Sequence, residues 1–507
     1  MNLPRWTSLY LCLALVAWGA TVRAQDAPEK SPFEIAAAME KVVVDLVEQN
    51  EGSVVSIARV RTDERPSALA DRFDQEPGFF PRGGFQNVVE PTSPQFVPQE
   101  YATGVVLDAK GLILTTYHAI GAREKCKYFV WSNQRPFAAE VIAADPWLDL
   151  AVLKIDAPNL TPIKLGDAKT LRKGQFVIAL GNPFGIARDG RPSAAWGLVS
   201  NLDRKAPAID NPQDPIARPT LHHYGNLIET DARLEQGTSG GPLLNLQGEM
   251  IGLTTSLAAP GESGRSAGLA IPVDQALKDA LEKLTQGREA EYGFLGLAPE
   301  VLSVEERQRG KHGARVSRVV PGTPAAELNL VETSYTSDSS DVITHVDGEA
   351  VRDADHLILL LSRVAAGREV RLTVERATRG DDKSPRITQK RVKLSKKYLG
   401  DVVRPIYTTV SDPPWRGLTI DYATATPNFQ ERLSYLDPDG CLAVVEVARP
   451  SPAWDAGLRG GMFISHVGDE RVTTPEQFRQ LTSNRKDAVK LRTTQSINGS
   501  SMVSVAP

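Results

Sequence analysis

At 507 residues the chain is too long for one ordinary domain, and roughly two to four are expected. An apolar share of 41 %, with 40 glycines and 35 prolines, suits globular, loop-rich β domains. The formal net charge of −4 gives no reason to invoke nucleic acid or an anionic membrane as a partner.

The N-terminus has the layout of an export signal. Arg5 precedes the apolar run LYLCLALVAWGA (9–20), and Val22-Arg23-Ala24 offers small residues before a cut ahead of Gln25. An uncleaved anchor is the alternative, but the run is shorter than the ~20 residues that span a bilayer. No transmembrane segment is expected in the mature chain. Next, SPFEIAAAMEKVVVDLVEQN (31–50) has apolar spacing suited to a short helix. From about 64 to 100 no period survives. Pro66, Pro77, Pro81, Pro91, Pro94 and Pro98 fall there with Phe79-Phe80 and Gly83-Gly84, which predicts a long loop.

GLILTTYHAI (111–120) reads as a buried strand with His118 at its end, and in DPWLDLAVLKI (145–155) Asp149 opens another. Further on, Gly237-Thr238-Ser239-Gly240-Gly241-Pro242 sets a serine between glycines on a tight turn. Glycine tolerates positive φ and lets neighbouring N–H groups converge on one oxygen. A serine hydroxyl is a poor nucleophile near neutral pH. A neutral imidazole must take its proton and return it to the leaving amine, while a buried carboxylate fixes the imidazole tautomer. His118, Asp149 and Ser239 occur in an order that fits these roles, each beside its own strand. The amides of the Gly237-Thr238-Ser239 turn, above all Gly237 and Ser239, are the expected oxyanion donors.

The C-terminal half repeats itself. VVPGTPA (319–325) followed by VITHVDG (342–348) returns as VARPSPA (447–453) followed by FISHVGD (463–469). The first copy carries extra residues between its blocks, TSYTSDSSD (333–341). Strand, Pro/small turn, short helix and turn-closed strand make a compact module. The stretch KYLGDVVRPIYTTVSDPP (397–414) lies between the copies as a linker. His222-His223 invites a metal reading, but no third ligand is placed by sequence, and a surface pair is expected. Cys12 leaves with the signal; Cys126 and Cys441 fall in different modules, so neither a disulfide nor a metal site is expected. No GxxxxGK[ST] string occurs, which argues for an activity without ATP.

The chain resembles the HtrA (DegP-like) family of trypsin-fold serine proteases. The matching strings are YATGVVLDAKGLILTTYHAI (101–120), DPWLDLAVLKI (145–155), IALGNPFG (178–185), IETDARLEQGTSGGPLLNLQGEMIGL (228–253) and AGLAIPVDQA (267–276). The resemblance implies a mostly β chain: a double β-barrel protease over 40–286, then PDZ-like α+β modules over 290–396 and 413–507, joined by 397–412. Residues 1–24 would be the signal and 25–39 a segment that helps form a trimer, to which Phe33 contributes. The 64–100 stretch sits where the family carries a regulatory loop; a disordered insertion is the alternative. Thr238 and Gln236 depart from the family's usual Asn and Pro, which bears on the resting shape of the oxyanion loop. Leu234 stands where an aliphatic residue lines the primary specificity pocket, with Thr254, Thr255 and Gly268 bordering it.

PDZ domains hold a peptide's C-terminal carboxylate on backbone N–H groups of a Gly-containing loop. That loop would be Phe294-Leu295-Gly296-Leu297 in the first copy and Trp415-Arg416-Gly417-Leu418 in the second, where Arg416 replaces an apolar residue. The activity implied is an exported, ATP-independent endopeptidase without cofactor. It would act on unfolded proteins in envelope quality control, periplasmic or secreted, as a homotrimer or larger assembly. A silent or latent protease working as a holdase chaperone or peptide-binding scaffold is the second reading.

Overall fold

A computed structural model describes residues 31–62, 100–183, 191–206, 219–255, 268–333, 340–376, 386–400, 404–427, 429, 440–496 and 499–507. The signal over 1–24, most of the loop over 64–100 and most of the 333–341 insertion lie outside them; Glu100 itself begins a strand. The expected helix spans Pro32–Asn50, with Phe33, Ile35, Met39, Val42 and Val44 exposed. Residues Leu46–Pro507 form one compact unit; Met1–Asp45 form the other.

Six strands close a first barrel: β1 (Val54–Arg61), β2 (Glu100–Val106), β3 (Leu112–Thr116), β4 (Cys126–Ser132), β5 (Arg135–Asp145) and β6 (Leu150–Lys154), in the order β1-β2-β3-β6-β5-β4. Their β-branched and aliphatic residues, among them Val55, Ile57, Ile113, Val130 and Leu153, fill the interior. A second barrel follows with β7 (Phe176–Gly181), β8 (Ser193–Arg204), β9 (Leu227–Thr230), β10 (Pro242–Leu244), β11 (Met250–Thr255) and β12 (Gly268–Pro272), closed as β10-β11-β12-β9-β8-β7. Closure pairs each strand with two neighbours, although β5 beyond Ala139 extends past its β4 partner. β3 is buried on both faces, because its inner side fills the first barrel and its outer side meets β11.

The sequence repeat is a repeat of topology. β14 (Leu297–Val301), β15 (Ala314–Val319), β16 (Val342–Val346), β18 (Glu369–Arg376) and β19 (Arg386–Lys393) pair in that order, with β17 (Glu349–Ala350) on β16. The pair β13 (Gly293–Phe294) and β20 (Ser395–Lys396) closes this module at its two ends. In the second copy β21 (Leu418–Tyr422), β22 (Leu442–Val447), β23 (Phe463–Val467), β25 (Val489–Ser496) and β26 (Gly499–Val505) repeat the order, with β24 (Glu470–Arg471) on β23. One helix lies against the first strand of each sheet, Ala354–Ser362 and Pro475–Thr482, capped by Asp353 and Thr474. The copies also pack on each other: Val320 of the first is buried with Ala423, Phe429, Cys441, Ala443 and Phe463. Cys126 belongs to the first barrel, far along the chain from Cys441.

Candidate active site

The antiparallel register of β3 on β6 sets Thr116 opposite Leu150. His118, two residues past the end of β3, therefore meets Asp149, the residue just before β6. Tyr117 N–H donates to Asp149 O at 2.9 Å, extending the ladder by one step. The chain then winds into a single turn, Tyr117–Ile120, which aims the imidazole back at the carboxylate. His118 N–H donates to Asp149 Oδ1 at 3.0 Å, and its Nδ1 lies 2.8 Å from Oδ2. Asp149 adopts φ +58°, a left-handed conformation that Asp tolerates better than most residues.

Asp149 is 1 % exposed, whereas the His118 side chain is 36 % exposed at the mouth of the cleft. Burial alone works against an imidazolium, but the Asp149 charge and hydrogen bond outweigh it and hold His118 above its ordinary value. Burial would likewise raise Asp149; its partner His118 reverses this and keeps the carboxylate ionised. Nδ1–H to the carboxylate leaves Nε2 as the basic nitrogen, and Thr116 Oγ1 stands 3.4 Å from it.

Ser239 comes from the second barrel, in the turn between β9 and β10. The turn is held by threonines of both barrels. Thr103 on β2 receives the Asn182 N–H and passes its own hydroxyl proton to Gly237 O at 2.7 Å, while its N–H donates to Ser239 O at 2.9 Å. Gly240 N–H donates to Thr254 O, also on β11, at 2.8 Å. A Cβ on Gly240 (φ +88°) would stand 2.1 Å from Thr103 O, so only glycine fits beside the nucleophile. Gly237 has φ +95°, as a donor turn requires.

Three sequence expectations need correction. Thr238 N–H donates to Glu235 O at 3.1 Å, so this amide is committed within the loop and is no oxyanion donor in this conformation. Thr254 and Thr255 are 1 % and 3 % exposed, and their hydroxyls are committed to hydrogen bonds within the protein. Thr254 Oγ1 donates to Thr238 O at 2.6 Å, and Thr255 Oγ1 donates to Asp149 Oδ2 at 3.3 Å. They support the nucleophile turn and the carboxylate, because a buried hydroxyl must find a partner. His222, expected at the surface, is fully buried: Nε2–H donates to Leu148 O at 3.0 Å, and Nδ1 lies 2.9 Å from the side-chain amide of Asn226. It braces the residue before Asp149. Burial holds it neutral. The expected pocket pair does meet: a Cβ on Gly268 would stand 3.0 Å from Leu234 Cγ. Arg233 beside it is exposed and pairs with Glu235.

A family model described as "Trypsin-like peptidase domain" matches residues 102–253, and one described as "PDZ domain" matches 293–388. A probable periplasmic serine endoprotease DegP-like of Pseudomonas fluorescens is 28 % identical over 498 residues, covering 95 % of this chain and 94 % of that one. The periplasmic serine endoprotease DegP of Salmonella typhimurium is 32 % identical over 276 residues, 53 % of each chain. The chain is a serine endopeptidase with trypsin-like and PDZ domains, similar to the DegP-type proteases. Among solved structures, the HtrA-type protease AlgW with decapeptide is 22 % identical, covering 70 % of this chain and 98 % of that one, with a TM-score of 0.47.

The chain carries its two Gly loops in different states. In the first PDZ module Leu295 is buried, Gly296 has φ +85°, and Val320 N–H donates to Gly296 O at 2.8 Å. Phe294 closes β13 and Leu297 opens β14, an edge strand with the helix Ala354–Ser362 against it. In the second module Arg416 turns its guanidinium onto four carbonyls: Val505 and Ala506 at 2.8 and 2.9 Å, Arg485 and Asp487 at 2.8 and 2.9 Å. That side chain ties the last strand to its own loop. Among the described residues no helix is long and apolar enough to cross a membrane.

Proposed function

We propose that Ser239 is the nucleophile of this endopeptidase, His118 its general base and acid, and Asp149 the carboxylate that orients His118. Ser239 Oγ adds to the scissile carbonyl as Nε2 takes its proton. The imidazolium then delivers that proton to the leaving amine, and water attacks the acyl-enzyme by the same route. The amides of Gly237 and Ser239 receive the oxyanion; losing one such donor costs about 3 kcal/mol of barrier. Leu234 against Gly268 lines the primary pocket and favours a small or medium aliphatic side chain before the cut.

What supports this reading most is the β3–β6 register, which delivers His118 Nδ1 to Asp149 Oδ2 at 2.8 Å beside a turn anchored on Thr103. The substrates we assign are unfolded polypeptides, handled after export by a cleaved signal over 1–24. The chain is assigned to homotrimers formed through the N-terminal segment with Phe33. The Phe294-Leu295-Gly296-Leu297 loop takes C-terminal peptides. The domain limits stand as 40–286, 290–396 and 413–507. The test is cleavage of an unfolded protein by the mature chain and by Ser239→Ala, with and without a C-terminal peptide. Loss of cleavage in Ser239→Ala and a peptide-dependent rise in the parent are expected; cleavage by Ser239→Ala would sink the assignment.

A further inference from the structure

The stretch between the two PDZ modules does more than separate them. After Lys397, whose ammonium sits 4.5 Å over the Trp147 ring, the chain returns to the first barrel. Tyr407 adds a one-residue strand to the end of β5: Ala144 N–H donates to Tyr407 O at 2.9 Å, and Tyr407 N–H donates to Ala144 O at 3.1 Å. Its ring is buried as part of the barrel core, stacked on Tyr117 with centroids 6.2 Å apart and planes 16° apart. Its hydroxyl accepts from Arg123 N–H and donates to Glu124 Oε2, both at 3.2 Å. Tyr117 OH in turn donates to Pro405 O at 3.0 Å, 288 residues along the chain. Arg404 donates to Pro146 O at 2.7 Å and lies 5.4 Å over the Tyr117 ring.

These anchors are not scattered. Tyr117 is the residue before His118, and Arg123 and Glu124 follow its helical turn. Ala144 and Pro146 begin the hairpin that ends at Asp149. The segment thus touches both loops that bring the imidazole and the carboxylate together.

We propose that Arg404–Tyr407 is a strap that positions the His118–Asp149 pair, so that full catalysis depends on chain beyond the first PDZ module. The inference rests on the triad assignment above. Proton transfer tolerates little misplacement, and an error of about 1 Å in such a pair can cost about 10²-fold in rate. A loop held by backbone pairing, a stacked ring and a cation keeps that geometry more tightly than the single turn Tyr117–Ile120 can by itself. Arg404 has a second effect. The charges facing His118 are Asp149, Arg404 and Arg59; the two arginines each oppose its protonation.

The experiment uses the mature full chain and a short chromogenic peptide amide, with active sites counted by a fluorophosphonate. Arg404→Ala and Tyr407→Ala should lower kcat at least about tenfold per titrated site, with KM little changed. Arg404→Ala should also move the acid limb of the rate profile to higher pH, and Arg404→Lys should return it. Thr408→Ala, exposed and next to the anchors, is the control that should match the parent. Should Tyr407→Ala fail to fold, Tyr407→Phe and the Arg404 variants still carry the test. Unchanged kcat and acid limb in Arg404→Ala, or a loss that only follows the count of titrated sites, overturns the strap. His118→Ala run alongside separates the two readings: if it stays active the triad assignment fails, and if it is dead while the strap variants match the parent only the strap fails.

Discussion

The hydroxyl of Tyr292, in the segment leading into the first PDZ module, donates a hydrogen bond to the buried carboxylate of Asp145 at the end of β5. The same carboxylate receives the N–H groups of Trp147 at 2.7 Å and Leu148 at 3.0 Å, and so shapes the hairpin that ends at Asp149. Burial nevertheless pushes Asp145 up to about 6, the three hydrogen bonds only partly opposing it.

That shift has a sign. The folded value lies above the ordinary aspartate value of about 3.9, so between about pH 4 and 6 the folded chain holds a proton that the unfolded chain has released. Stability from this group falls as pH rises through that window. Asp145→Asn keeps the amide acceptor and removes the titration. The difference in urea midpoint between parent and variant should therefore change between pH 4 and 6 and be flat above pH 7. A difference that does not vary with pH would count against a raised Asp145.

With His118 as the proposed general base, its protonation sets the acid limb of catalysis. Catalysis needs the neutral imidazole, so rate is lost as pH falls through its folded value, which Asp149 holds above the ordinary value of about 6.5. The pH profile of kcat/KM should bend above 6.5. Asp149→Asn should lower kcat about 10⁴-fold while leaving the fold intact, because the amide favours the wrong tautomer. The stability of the ion pair runs the other way. It is complete below the unfolded histidine value and fades as pH rises through the folded one.

Thr254→Val tests the support of the nucleophile turn. The substitution keeps the shape but removes the hydroxyl that Thr238 O and the Gly241 N–H share, leaving them their own 3.0 Å hydrogen bond. Losing the bonds of that buried hydroxyl should cost about 0.5–1.5 kcal/mol in chemical denaturation. Because the strained turn carries Ser239, kcat should fall more than KM rises. An unchanged kcat would mean the turn holds its shape without the threonine.

Lys396 is the joint of the C-terminal half. Only 6 % exposed, its ammonium meets Asp421 at 2.8 Å, Glu289 at 2.9 Å and Glu291 at 3.3 Å, one carboxylate from the second PDZ module and two from the segment before the first. Burial opposes its charge, yet the three carboxylates raise its pKa, so the charge persists throughout the neutral range. Lys396→Met leaves those carboxylates facing one another and should destabilise by about 3–5 kcal/mol near pH 7. The loss should shrink toward pH 4–5 as Glu289, whose pKa burial raises, takes up a proton. Urea midpoints at both pH values give the answer; equal losses would argue against charge as the cause.

That His118 and Asp149 stand at strand ends and Ser239 in a glycine turn was legible in the sequence because each sits at the end of a local pattern. Leu112–Thr116 and Leu150–Lys154 declare strands by composition, and the glycines around Ser239 declare a turn whose φ values other residues resist. The PDZ-like repeat was legible for the same reason, since strand, turn and cap recur within each copy. Thr254 and Thr255 were misplaced, because a threonine on a strand gives no sign of which buried carbonyl or carboxylate its hydroxyl will meet. His222 was misplaced likewise: its burial depends on Leu148 O, 74 residues earlier.

The sequence by itself determined the elements, the residue types for acyl transfer, the order of the modules and the positions that only glycine can hold. These depend on periods and turn preferences spanning a few residues. Only the tertiary structure decided that β3 and β6 run side by side, that Arg416 clasps its own C-terminal strand, and that Tyr407 lies in a barrel whose Arg123 it follows by 284 residues. Such contacts form when closed sheets bring distant segments to the same surface, and burial then selects which partners satisfy each polar group.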